Sequence, residues 1–196
     1  IYFCARLNKQ PEHVGSFVDQ ITYPGQTSTD TIHNGLYLTF QTKENEVVEM
    51  QVGLSYTSIE NARLNLETET KSLDFDAVRR NASSRWNEWL SRIRVEGGLE
   101  SDKVKFYTGL YHALLGRGIA SDVNGQYKLH GQGAGQIPLD DQGIPRHHHF
   151  NTDGMWGGFW NLSQLWSLAY PDYYQDYLQS NIDFYRGMGW LHDGEA

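Results

Sequence analysis

Hydrophobic periodicity in this chain changes once, near Ser58, and that change commits it to a β part followed by a helical part. Upstream, YFCARL (2–7), GLYLTFQT (35–42) and VVEMQVGLSY (47–56) carry β signals, with Leu36, Leu38 and Phe40 alternating with Tyr37 and Thr39. Pro24-Gly25 and His33-Asn34-Gly35 punctuate these runs as turns, so the pattern is that of an antiparallel sheet. Two or three strands cannot cover both their faces and their edges. The segment is therefore expected to complete a sandwich whose other strands precede Ile1. A start at Ile1 rather than Met, inside a strand, points the same way, to a piece of a longer protein.

Downstream of Ser58 the spacing becomes three or four. Ser58 suits an N-cap, and SIENARLNLETE predicts a short helix with a polar face. Phe75, Val78, Ala82, Trp86, Trp89, Leu90 and Ile93 then predict a helix of about five turns that stops near Gly97-Gly98. Ser101 would cap the next, with Val104, Tyr107, Leu110, Tyr111 and Leu114 as its apolar stripe, giving an αα hairpin. Residues 118–150 break the pattern, with turns expected at Asn124-Gly125 and Asp141-Gln142-Gly143. Loops of that length between helices often carry function. Helices resume at about 153–169, ended by Pro171, and at about 172–186, ended by Gly187.

Charge narrows the function classes. A formal net charge of -8, with no basic run longer than Arg79-Arg80, gives no attraction to nucleic acid or anionic lipid. No apolar run approaches the roughly 18 residues needed to cross a bilayer. Cys4, the single cysteine, excludes an internal disulfide and suits a buried strand position better than a reactive thiol.

Five ordered blocks, GLSYTSIENARLNLETE (53–69), WNEWLSRIRVEGG (86–98), FYTGLYHALL (106–115), SDVNGQYK (121–128) and FNTDGMWGGFWNLSQLWSLAYP (150–171), resemble glycoside hydrolase family 92. The resemblance runs from about residue 50 to 196. It implies an α+β chain: C-terminal strands of a β-sandwich (1–57), linker helices (58–98), and the first αα hairpins of an (α/α)6 toroid (99–196). It further implies a secreted or periplasmic bacterial enzyme, an exo-acting α-mannosidase that depends on calcium and takes an α-mannoside or N-glycan substrate. The rest of the parent chain would be its partner. Family members are understood to invert configuration with a Glu acid and an Asp-assisted water, two carboxyls roughly 6.5–9.5 Å apart. Neither can be placed in this chain, so no catalytic residue is assigned and the isolated fragment is expected to be inactive. Asp193 and Glu195 read better as a solvated loop after a helix. Two rival readings stay open: a non-catalytic carbohydrate-binding or structural module, and an (α/α)6 glycosidase for another sugar.

The candidate binding residues are Trp156, Asp153 and Asn151. A sugar needs a flat aromatic face for its C–H groups and nearby acceptors for its hydroxyls, and a helix start carrying these three would offer both. Most family members have Asp directly after this Trp; here Gly157 follows, so Asp153, about a turn earlier, would have to supply the carboxylate. Trp156 and Asp153 could equally be core and N-cap. Met155, Phe159, Leu162, Leu165, Trp166 and Ala169 read as the buried stripe of the same helix. Gly157-Gly158 costs a helix about 1 kcal/mol per residue, and close approach of a backbone or a ligand is the expected reason. Arg146-His147-His148-His149 lacks zinc spacing, because adjacent side chains point to different sides; one imidazole in a cleft suits it better. His112 reads as a satisfied interior histidine. With no EF-hand-like loop, the metal ligands are unknown, and any calcium site would need residues past Ala196.

Overall fold

The switch of period at Ser58 is the boundary between strands and helices in the computed structural model, which describes residues 1–71, 74–115, 118–129, 131, 133–152 and 155–191. The fold is α+β. Strands β1 (Tyr2–Leu7), β2 (His13–Val18), β3 (Ile21–Pro24), β4 (Asn34–Thr39) and β5 (Met50–Ser55) precede helices α1 (Ile59–Glu69), α2 (Phe75–Leu90) and α3 (Glu100–Leu115). A hairpin of β6 (Gln126–Leu129) and β7 (Gly133–Gln136) follows, then α4 (Met155–Phe159), α5 (Leu162–Ala169) and α6 (Pro171–Met188).

The chain divides into two compact units. The smaller, Arg6–Gln51, holds an antiparallel sheet in the order β3-β2-β4. Two of its strands carried no strong strand signal, because Gly15 interrupts the alternation of β2 and β3 is only four residues long. Register explains Gly15: it pairs with Tyr37, and a Cβ there would fall 2.3 Å from the tyrosine ring, so the aromatic lies over the bare backbone opposite. Phe17 and Gly35 repeat the arrangement on the same pair of strands.

In the other unit, Ile1–Ala5 with the chain from Val52 onward, β5 packs on α1. Val52 and Leu54 are exposed while Gly53 and Ser55 are buried, the period-two signature of a strand with one covered face. A Cβ on Gly53 would stand 2.3 Å from the Ala62 carbonyl and 2.6 Å from Leu66 Cβ, so strand and helix approach at backbone contact. Ser58 caps α1 as its sequence predicts, accepting from the Asn61 N–H at 3.0 Å. The polar face of α1 is turned inward rather than to water: Asn61 and Asn65 are buried beside Ala62 and Leu66.

The main core joins Leu110 and Leu114 of α3, Phe150, Trp166 of α5, and Tyr170, Tyr173 and Tyr177 at and within α6. Trp86 and Trp89 of α2 pack against it, Trp89 stacked on Tyr170 at 5.7 Å. A smaller core of Tyr127, Leu129 and Ile137 sits under the β6–β7 hairpin.

Several helix expectations change. α2 stops at Leu90, leaving Ile93 in the following turn, because the chain tightens there: the Arg92 and Ile93 N–H groups bond only three residues back, to the Trp89 and Leu90 carbonyls; Gly97 and Gly98 lie beyond, both at positive φ. Its stripe is half used: Phe75, Val78 and Ala82 are exposed, since no described segment covers the first two turns. Ser101 lies inside α3, where the Leu99 carbonyl takes the Asp102 and Lys103 amides; Val104 and His112 are exposed, so His112 is not an interior group. The single helix expected over 153–169 is two, α4 and α5, broken at Trp160–Asn161. Gly187 does not end α6. It sits in the helix because a Cβ would come 2.6 Å from Leu129 Cδ2, and the chain turns out at Gly189, at φ 80°.

Candidate functional site

The long segment between α3 and α4 is held by two turns and a short ladder. Asn124-Gly125 closes the first turn, with the Asp122 N–H bound to the Gln126 carbonyl at 2.8 Å. At the second, the Asp140 carboxylate accepts the Gln142 and Ile144 amides at 2.9 Å, which holds its pKa below the usual carboxylate value. Residues 118–121 then run beside 149–151: the Ala120 N–H reaches the His149 carbonyl at 2.7 Å, and the Asn151 N–H reaches Gly118 at 3.0 Å.

That ladder aims the three histidines in different directions. His147 Nε2 meets Asp183 Oδ2 of α6 at 2.6 Å, both side chains more than nine-tenths buried. His149 stacks on Tyr127 at 4.1 Å. His148 lines a groove, the one imidazole of the run that does so, while its backbone N–H is held by Asp176 at 3.1 Å. Among the described residues no group of three or more His, Cys, Asp or Glu could hold a metal.

The groove encloses about 670 Å³ between α2, the start of α6 and the ladder. Trp86, Trp89, Phe150 and Tyr173 form its aromatic sides, and Asp172 and Asp176 stand at one edge. Arg92 binds Asp172 through both guanidinium nitrogens, at 2.6 and 2.9 Å, while lying 4.5 Å from the Trp89 ring centroid. This pairing pulls the Asp172 pKa down to about 2, hydrogen bonding outweighing partial burial, and raises that of Arg92. Asp172 is consequently an anion at neutral pH and no proton donor. Asp172 and Asp176 also stand one turn apart on a single helix, on one side of the groove, so they cannot flank a bond from opposite faces as inversion requires. The periodicity puts Ala82, Trp86 and Trp89 of this groove on one stripe of α2, but nothing in it brings Asp172 and Asp176 to the groove's edge.

Of the sequence-derived binding residues, Trp156 lies on α4 and is 66% exposed, with Phe159 and Trp160 equally open. Phe159 is therefore not part of a buried stripe; Trp166 is the wholly buried member of that set. Asn151 is half-buried, its backbone tied to the ladder. Asp153 lies outside the described residues, as do Asp193 and Glu195. At Gly157 and Gly158 a Cβ would meet no atom within 4 Å, so no neighbouring backbone of the described chain explains the pair. Thr152, beside Asn151, buries its hydroxyl with no hydrogen-bond partner among the described residues.

Residues 61–196 match the catalytic-domain model of glycosyl hydrolase family 92. The chain belongs to that family. A family 92 inverting mannosidase from Bacteroides thetaiotaomicron superposes with a TM-score of 0.85 at 23% identity, covering 96% of this chain and 25% of that one. The family 92 hydrolase ccman5 does so with a TM-score of 0.82 at 22% identity, over 98% and 26%. A family 92 α-mannosidase from B. thetaiotaomicron, solved with mannoimidazole, gives 0.77 at 20% identity, over 94% and 24%. These likenesses establish a shared fold, and the chain spans about a quarter of the length of each family 92 structure. No curated protein sequence matches it significantly. Among the described residues no helix is long and apolar enough to cross a membrane.

Proposed function

We propose that the family 92 protein containing this segment is an exo-acting, inverting, calcium-dependent α-mannosidase, secreted or periplasmic, and that the segment supplies one wall of its saccharide site. The family match over residues 61–196 carries this reading. In it, residues 1–57 end a β-sandwich, 58–98 link, and 99–196 begin an (α/α)6 toroid. Trp156 stacks on the sugar, Asn151 and Asp153 receive its hydroxyls, and the segment alone is inactive. The 66% exposure of the Trp156 indole supports this reading, because a stacking face has to be open.

Calcium takes six to eight oxygens, and the described residues do not fit such a site. Asp122 and Asp172 already serve side-chain donors, and Asp183 serves His147, so the ion's ligands fall elsewhere in the protein. Gly157 in place of the family's Asp after Trp156 favours a second reading, a related glycosidase for another sugar.

Proton NMR of an aryl α-mannoside mixed with the full-length protein and calcium separates these outcomes. β-Mannose should appear first. No mannose from folded protein would reject the α-mannosidase reading, and α-mannose as first product would reject inversion.

A further inference from the structure

A densely satisfied buried carboxylate lies outside the groove. Asp122, 5% exposed, follows directly on the 118–121 strand of the ladder. Its Oδ2 accepts from Ser55 Oγ at 3.0 Å, Thr57 Oγ1 at 2.5 Å and Asn61 Nδ2 at 3.0 Å; its Oδ1 accepts from Asn65 Nδ2 at 2.7 Å. The amides are in turn committed: Asn65 Oδ1 takes the Val123 N–H at 2.9 Å, and Asn61 Oδ1 takes Asn124 Nδ2 at 2.9 Å. Two sequence blocks 67 residues apart by their first letters, SYTSIENARLN from Ser55 and DVNGQY from Asp122, thus meet in one buried network.

We infer that Asp122 is a positioning residue for the saccharide wall. It clamps the 118–121 strand to β5 and α1, and that strand holds 149–151 through the Ala120–His149 and Asn151–Gly118 bonds. Ser121 adds a third link, its hydroxyl accepting the His149 N–H at 3.1 Å. The placing of Phe150 and Asn151 therefore depends on α1. The functional half of this inference rests on the mannosidase reading; the mechanical half does not.

The test is amide hydrogen exchange on the full-length protein, with Asp122→Asn and, as the milder change, Thr57→Val. In Asp122→Asn the hydroxyls of Ser55 and Thr57 can turn to accept, but Asn61 Nδ2 is left facing a second donor. Exchange at Ala120, His149 and Asn151 should quicken tenfold or more, and a few-fold in Thr57→Val, while amides of residues 177–184 in α6 keep their rates. Acceleration confined to α1, or equal at all these sites in Thr57→Val, would overturn the inference; should Asp122→Asn not fold, Thr57→Val decides alone. If the mannosidase reading also holds, Thr57→Val raises KM for an α-mannoside with kcat unchanged. Failure of activity with local exchange as expected would count against the function and not the clamp.

Discussion

Arg92 joins three things a single side chain can do: it pairs bidentately with Asp172, lies over Trp89 and lies 5.3 Å from the Tyr170 ring centroid. Because Asp172 titrates near 2 when folded, below its ordinary value, it adds stability that is full above about pH 4 and is lost as pH falls from there through 2. The pair stands partly in solvent, so its worth is small, under about 1 kcal/mol. Arg92→Met should return the Asp172 carboxyl toward its ordinary pKa, which NMR titration of the carboxyl carbon would detect. It should also reduce the acid-range slope in stability between pH 4 and 2 by the share that Asp172 contributes. A carboxyl still titrating near 2 would show that Arg92 is not the cause.

Gly53 decides how β5 meets α1. A methyl group there would strike the Ala62 carbonyl and the Leu66 backbone, neither of which is a flexible tip. Gly53→Ala should therefore cost about 2–3 kcal/mol, seen as a shift in the denaturant midpoint at constant slope. No shift would mean that strand and helix are not in backbone contact. The same junction shows what the sequence could and could not disclose. Ser58 as N-cap was legible because capping is local, and the strand run through Gly53 was legible because alternation is local. The inward turn of Asn61 and Asn65 was not, because an i,i+4 pair of amides looks like a solvated face until its partner, Asp122, is brought in from a distant turn. β2 escaped notice for a similar reason: Gly15 breaks its pattern and makes sense only opposite Tyr37. The helix end misjudged at Gly187 has a clear cause. A glycine marks a stop or a close contact, and the contact with Leu129 is invisible from Gly187 alone.

Across the whole molecule, large apolar groups remain open in both units, Ile21 and Leu36 in the sheet, Phe75 and Val78 on α2, Trp156 and Trp160 about α4. The family was legible because its five blocks are long and ordered. Spacing alone could not tell whether Trp156 is a core residue, and its 66% exposure removes it from the core of the described residues. The most direct test is kcat/KM for an α-mannoside, measured on the full-length protein with and without Trp156→Ala, with the variant's melting transition checked against the parent's. Loss of tenfold or more is the predicted result, about 1.4 kcal/mol of transition-state binding; an unchanged kcat/KM would contradict the placing of this wall against the sugar.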